Sequence, residues 1–171
     1  MDNKILIKGQ KIKLIATDID GVWTDSKMYY TEQGLLMKSF STYDGMGASL
    51  AIKHNFIIAM ITSEYEHLDI LYTRAKKLNI QEIYTNEHNK LNRLQYITSK
   101  YNLSSENVAY IGDDLNDLEA LKFAGLSASP HDAPILNYYN PDFITPRKGG
   151  DGAFRDLIDI IFKANNINPV Y

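Results

Sequence analysis

Short runs dominated by apolar residues alternate along this chain with longer segments in which apolar positions recur at helical spacing. Ile12–Thr17, Phe56–Ile61, Glu82–Tyr84, Val108–Ile111 and Leu126–Ala128 predict strands. Met46–His54, Tyr65–Leu78, Asn89–Tyr101, Leu115–Ala124 and Phe154–Ala164 predict helices that pack on the faces of a sheet. The alternation predicts an α/β fold, a doubly wound parallel sheet, in one domain spanning 1–171. One segment breaks the rhythm: Lys27–Thr31 and Leu35–Phe40 flank Glu32-Gln33-Gly34, a pattern that predicts a β-hairpin. It either projects from the sheet or extends its edge. Pro141–Gly152, with three glycines, predicts a loop before the last helix.

Composition narrows the chemistry. The 171 residues, 44% of them hydrophobic, suit one ordinary core. Eighteen Lys+Arg against 21 Asp+Glu leave a charge of −3, with no basic excess to hold a nucleic-acid backbone. With no cysteine, any metal must be held by oxygen or imidazole, which favours hard cations such as Mg²⁺. The most apolar stretch, Phe56–Ile61, is far short of the roughly 20 residues that span a bilayer, so no membrane association is expected. The stretch Met1–Lys8 lacks the pattern of a signal peptide, and the expected location is cytoplasmic.

Two acidic clusters stand at predicted strand ends: Asp18-Ile19-Asp20-Gly21 after the first strand and Gly112-Asp113-Asp114-Leu115-Asn116-Asp117 after the fourth. In open α/β sheets the carboxyl ends of strands line the ligand crevice, so both clusters should share one cleft. Crowded carboxylates repel, and a Mg²⁺ ion among oxygen ligands would relieve them. Asp114 or Asp117 alone could equally cap a helix. Asp18 and Asp20 precede no immediate helix, and alternate carboxylates on one loop suggest a nucleophile and an acid/base. Thr62, after the second strand, and Lys90, opening a helix, fall at the same edge, where a hydroxyl and an ammonium suit a phosphate. Singly, a helix cap and a solvated charge would explain them.

Asp18-x-Asp20-Gly21, Thr62, Lys90 and Gly112-Asp113-Asp114-x-Asn116-Asp117, in that order, resemble the four motifs of the haloacid dehalogenase superfamily of phosphotransferases. The resemblance implies Asp18 as nucleophile, Asp20 as general acid/base, and Thr62 and Lys90 as phosphate holders. It also implies a Mg²⁺ site of Asp18, Asp113 and the backbone carbonyl of Asp20, with Asp114 and Asp117 assisting through water.

Only 41 residues separate Asp20 from Thr62, too few for the cap domain most members carry. Together with Gly21–Asp25, the hairpin, Asp44–Gly47 and Arg147–Arg155, this is similar to the small capless sugar-acid phosphatases. These act on 3-deoxy-octulosonate 8-phosphate or nonulosonate 9-phosphate as homotetramers in which one subunit closes another's site. The octulosonate enzymes typically follow the motif threonine with Gly-Arg; here Ser63-Glu64 stands instead and resembles the nonulosonate branch. With Ser63, Glu64, Arg74 and Lys77 as candidate substrate contacts, the expectation is a Mg²⁺-dependent phosphatase of a nine-carbon sugar acid 9-phosphate. The alternatives are the eight-carbon phosphatase of lipopolysaccharide synthesis, and, outside enzymes, a receiver-like or oligomerisation module.

Overall fold

The computed structural model describes residues 3–169. Its centre is a six-stranded parallel sheet: β1 Leu14–Thr17, β4 Ile57–Ile61, β5 Glu82–Tyr84, β6 Val108–Ile111, β7 Leu126–Pro130 and β8 Phe143–Thr145, in the order β5-β4-β1-β6-β7-β8. β1 pairs Leu14 with Ile57 on one side and with Val108 on the other. All four of its residues are buried, as expected of a parallel strand covered on both faces. The chain turns from β1 first toward β5 and later toward β8, so strand order reverses at β1 and a crevice opens beyond its C-terminal end.

The helices are α1 Asn3–Gly9, α2 Thr42–Lys53, α3 Asp69–Lys77, α4 Lys90–Lys100, α5 Leu118–Phe123 and α6 Ala153–Ala164. Successive strand residues point to opposite faces, which divides the core in two. Ile15, Met60 and Ile111 pack with residues of α2, α3 and α6. Leu14, Ala16, Ile61 and Tyr110 pack with Leu94, Ile97 and Leu121 of α4 and α5. Trp23 closes the first layer, its ring 4.6 Å from that of Phe154 and its indole N–H donating to Thr17 Oγ1 at 3.2 Å. No described helix is long and apolar enough to cross a membrane.

The two remaining strands, β2 Tyr29–Thr31 and β3 Gly34–Met37, form a separate antiparallel pair, so the hairpin projects rather than extending the sheet. Its strands are shorter than the pattern predicts, and the register shifts between Tyr29 and Tyr30.

Other boundaries differ for local reasons. α2 starts four residues before the expected Met46, because Ser41 caps it through Oγ, accepting the Tyr43 N–H at 3.2 Å. α3 starts at Asp69 instead of Tyr65, since Glu64 turns back to accept the N–H groups of Tyr65 and Glu66 and His67 lies at φ 49°. Among the described residues, one α-helix and one sheet strand are additional. α1 forms over the short Ile5-Leu6-Ile7 run and docks on α6, where Asn165 Nδ2 donates to the Gly9 carbonyl at 3.0 Å. β8 forms inside the expected Pro141–Gly152 loop, paired to β7 at Ala128 and Phe143.

Asp44, buried in the first turn of α2, accepts the Arg155 N–H at 2.9 Å and so joins α2 to α6. Its other oxygen has no partner, and burial pushes its pKa up to about 6 despite that bond and the nearby Arg147. The folded state therefore holds this proton more tightly than the unfolded chain. Its contribution to stability is complete below about pH 4 and is lost as the pH rises through about 6. Relative to Asp44→Asn, the native chain should lose roughly 3 kcal/mol over that interval, read from denaturant midpoints at each pH.

Candidate active site

Asp18 follows β1 directly, its N–H still donating to the Ile111 carbonyl of β6 at 3.0 Å, so the sheet ladder fixes the residue's backbone. Its carboxylate is held on both oxygens: Oδ1 accepts the Ile19 N–H at 2.7 Å, and Oδ2 lies 2.7 Å from Lys90 Nζ. Lys90 is 1% exposed at the N-terminus of α4, and its ammonium also reaches Asp117 Oδ1 at 2.8 Å. Asp117 is wholly buried. Its Oδ1 takes a second bond from the Tyr110 hydroxyl at 2.6 Å, while Oδ2 takes the N–H groups of Asp113 and Asp114 at 2.9 and 3.3 Å.

Both Asp117 oxygens are thus occupied by protein donors. Asp117 thereby anchors Lys90 and shapes the loop that carries Asp113. Asp114 is the cap of the 3₁₀ turn Leu115–Asp117, its side chain accepting the Leu115 N–H at 2.8 Å. The capping alternative therefore describes Asp114.

Carboxylate oxygens of Asp18, Asp113 and Asp117 all lie within 4.8 Å of one another. Burial, and then the charge of Asp117, raise Asp18 well above the ordinary carboxylate range against the pull of Lys90. The same causes push Asp113 up to about 7. One lysine does not balance three buried carboxylates, and a divalent cation held by oxygens would. Asp18 and Asp113 are the carboxylates that fit this role, with the Asp20 carbonyl on the same loop.

Glycine makes the approach possible. A Cβ on Gly21, at φ 88°, would stand 1.9 Å from Asp113 Oδ2, and one on Gly149 would stand 2.0 Å from the Gly21 carbonyl. The glycine-rich segment before α6 therefore braces the Asp18–Asp25 loop from behind, with the Gly150 N–H on the Val22 carbonyl at 3.0 Å.

Asp18, Asp20, Thr62, Ser63 and Glu64 line one cavity of about 270 Å³, together with Asn116 and, from the lead into the hairpin, Met28. Thr62 continues β4, its N–H on the Tyr84 carbonyl at 2.9 Å. Ser63 donates its hydroxyl to the Glu87 carbonyl at 3.0 Å. Arg74 and Lys77 line a neighbouring groove with Phe40 and Ile70, and not the cavity of Asp18. The Arg74 guanidinium is engaged there, donating to the Ser41 carbonyl at 3.1 Å and lying 5.4 Å from the centre of the Phe40 ring.

Sequence reasoning passed over Lys38. Its side chain is fully enclosed, with Nζ 2.6 and 2.7 Å from the two Asp20 oxygens and 3.2 Å from Glu64 Oε2. A lone lysine after a hairpin strand carries no motif, and only the fold brings it to Asp20.

Replacing Asp117 tests the anchor. Asp117→Asn keeps the volume but leaves the Lys90 ammonium with one carboxylate, and loss of one partner in a buried ion pair costs about 3–5 kcal/mol. Urea unfolding should show that loss for Asp117→Asn and less than about 1 kcal/mol for Asp114→Asn, whose carboxylate caps an exposed turn.

Comparison with known proteins agrees with this arrangement. The model of the haloacid dehalogenase-like hydrolases matches residues 48–152. The 3-deoxy-D-manno-octulosonate 8-phosphate phosphatase of Salmonella typhi is 34% identical over 94% of this chain and 84% of its own length. That of Escherichia coli K12 is 33% identical with the same coverage. The crystal structure of the Yersinia pestis phosphatase of that name superposes with a TM-score of 0.92 at 32% identity, covering 97% of this chain and 89% of that one. The structure of the 3-deoxy-D-manno-octulosonate 8-phosphate phosphatase from Moraxella catarrhalis, in complex with a magnesium ion, a phosphate ion and a KDO molecule, superposes at 0.91 with 35% identity, covering 97% and 94%. With four motifs converging at the sheet's switch point and relatives matching almost end to end, the chain belongs to the haloacid dehalogenase-like hydrolases.

Proposed function

We propose that this protein is a Mg²⁺-dependent phosphatase of a 2-keto-3-deoxy sugar acid phosphate, with 3-deoxy-octulosonate 8-phosphate the best-supported substrate. The observation that carries the reading is the pairing of Asp18 and Asp20 in one cavity with Thr62, while Lys90 holds Asp18 from below. Asp18 attacks phosphorus in line as the bond to the sugar oxygen breaks, and Asp20 gives that oxygen its proton. Water then attacks the phosphorus of the aspartyl phosphate and yields a proton to Asp20, releasing inorganic phosphate and restoring Asp18. Thr62 and Lys90 hold the phosphoryl oxygens. A bound Mg²⁺, held by Asp18, Asp113 and the Asp20 carbonyl, supplies charge neutralisation for the phosphoryl group.

The relatives' names favour the eight-carbon phosphate over the nine-carbon one that Ser63-Glu64 suggested. The local geometry is consistent with that change. Burial disfavours the Glu64 charge, but the Glu66 N–H, Lys38 and the Tyr65 N–H outweigh it and hold the carboxyl below its usual range. Those donors leave it little freedom to select a sugar. The nine-carbon reading keeps one support, the placement of Glu64 on the cavity wall.

The missing cap has a counterpart in the hairpin, whose Tyr30, Leu36 and Met37 are exposed. A hydrophobic projection beside an open cavity suits self-association, and a homotetramer in which neighbours close one another's sites is part of the proposal.

Asp18→Asn should abolish phosphate release with Mg²⁺ from either sugar acid phosphate while leaving the circular dichroism spectrum unchanged; normal turnover would refute the mechanism. In competition kinetics the native enzyme should favour the eight-carbon phosphate, and a preference for the nine-carbon one would restore Glu64 as selector. Sedimentation at assay concentration should give a tetramer. Replacing Leu36 and Met37 by Ser should lower both assembly and activity, and a fully active monomer would remove the association from the reading.

A further inference from the structure

We propose that Lys38 is a positioning residue that sets the Asp20 carboxylate for proton transfer, with Glu64 as its fixed counter-anchor. The inference rests on the assignment of Asp20 as the acid/base. Asp20 stands on an irregular loop three residues beyond the end of β1, next to Gly21 at φ 88°, so no strand ladder orients its side chain. Its carboxylate contacts are the Thr24 hydroxyl at a long 3.3 Å and Lys38 at 2.6 and 2.7 Å.

An ammonium has three protons to donate. Lys38 directs them at the two Asp20 oxygens and Glu64 Oε2, which leaves none for a substrate. Its side chain is fully enclosed, so water does not compete for them. Glu64 is itself pinned, Oε1 accepting the Tyr65 and Glu66 N–H groups at 3.0 and 3.2 Å. A continuous path thus runs from the backbone after β4, through Glu64 and Lys38, to Asp20. Lys38 directly follows β3, so the path also ties the acid/base to the hairpin. A proton donor works only within hydrogen-bond reach of the leaving oxygen, and a misplacement of about 1 Å can cost on the order of 100-fold in rate.

The test separates positioning from structural support through the leaving group. A sugar alkoxide needs the Asp20 proton to depart, whereas p-nitrophenolate leaves without it. In the full-length chain with Mg²⁺, Lys38→Met should lower kcat/KM for the faster-cleaved sugar acid phosphate about 100-fold. The loss with p-nitrophenyl phosphate should be at least tenfold smaller, and Lys38→Arg should recover part of the sugar phosphate rate. Equal losses on both substrates, or no loss on the sugar phosphate, would overturn the proposal. Should Lys38→Met fail to fold, Lys38→Arg keeps the charge and is read by the same ratio, an intermediate skew supporting the proposal and equal losses ending it. Asp20→Asn, assayed alongside, must show the skew as well; if it turns over the sugar phosphate normally, the assignment of Asp20 fails, independently of Lys38.

Discussion

The ammonium of Lys90, enclosed between Asp18 and Asp117, is the constraint on which the site depends. Taking a lysine charge out of water is costly unless it is paired and every donor is used. Here burial acts to lower the Lys90 pKa, and the two carboxylates more than offset it and raise it. The pairing then propagates outward. Asp117 must face inward to meet Lys90, and its second oxygen gathers the N–H groups that start the loop of Asp113. Tyr110, raised well above its ordinary pKa by burial and by Asp117, stays a phenol that donates to the same carboxylate. The residues proposed as nucleophile, phosphate-holding cation and metal-ligand loop are aligned by one buried cluster.

The sheet makes that cluster possible by bringing four separate stretches of chain to one edge. β1, β4 and β6 are adjacent and parallel, so the residues that follow them meet although Asp18 and Asp113 stand 95 positions apart in sequence. Close approach then depends on missing side chains. Gly21 lets Asp113 near the Asp18 loop, Gly112 gives room to Asp117, and Gly149 lets the segment before α6 press against that loop. The open side of the cavity is left to the hairpin, which reaches it through Met28, holds Asp20 and Glu64 on its wall through Lys38, and carries its apolar residues outward.

Much of this was legible in the residue pattern. The limits of β5 and β6 follow directly from their short β-rich runs, and the placement of Asp18, Asp20, Thr62, Lys90 and Asp113 at one edge follows from their positions after successive parallel strands. α1 and β8 were not legible, because their local pattern is weak. α1 holds its place by docking on α6, and β8 by pairing at the edge beside β7. The late start of α3 was hidden for another reason: the Glu64 side chain competes for backbone N–H groups that a continuous helix would have used.

Sequence by itself determined the doubly wound class, the order of polar residues at successive strand ends and the oxygen-or-imidazole chemistry open to a metal, since each follows from local periodicity or from the side chains present. Tertiary structure alone decided what each charge does. Asp117 and Asp114 are near neighbours with the same side chain, yet one is the buried anchor of Lys90 and the other caps a turn. Glu64 and Lys38, 26 positions apart, share an ion pair that no spacing rule announces. The role of a carboxylate is set by its burial and by the donors around it, and those come from distant parts of the chain.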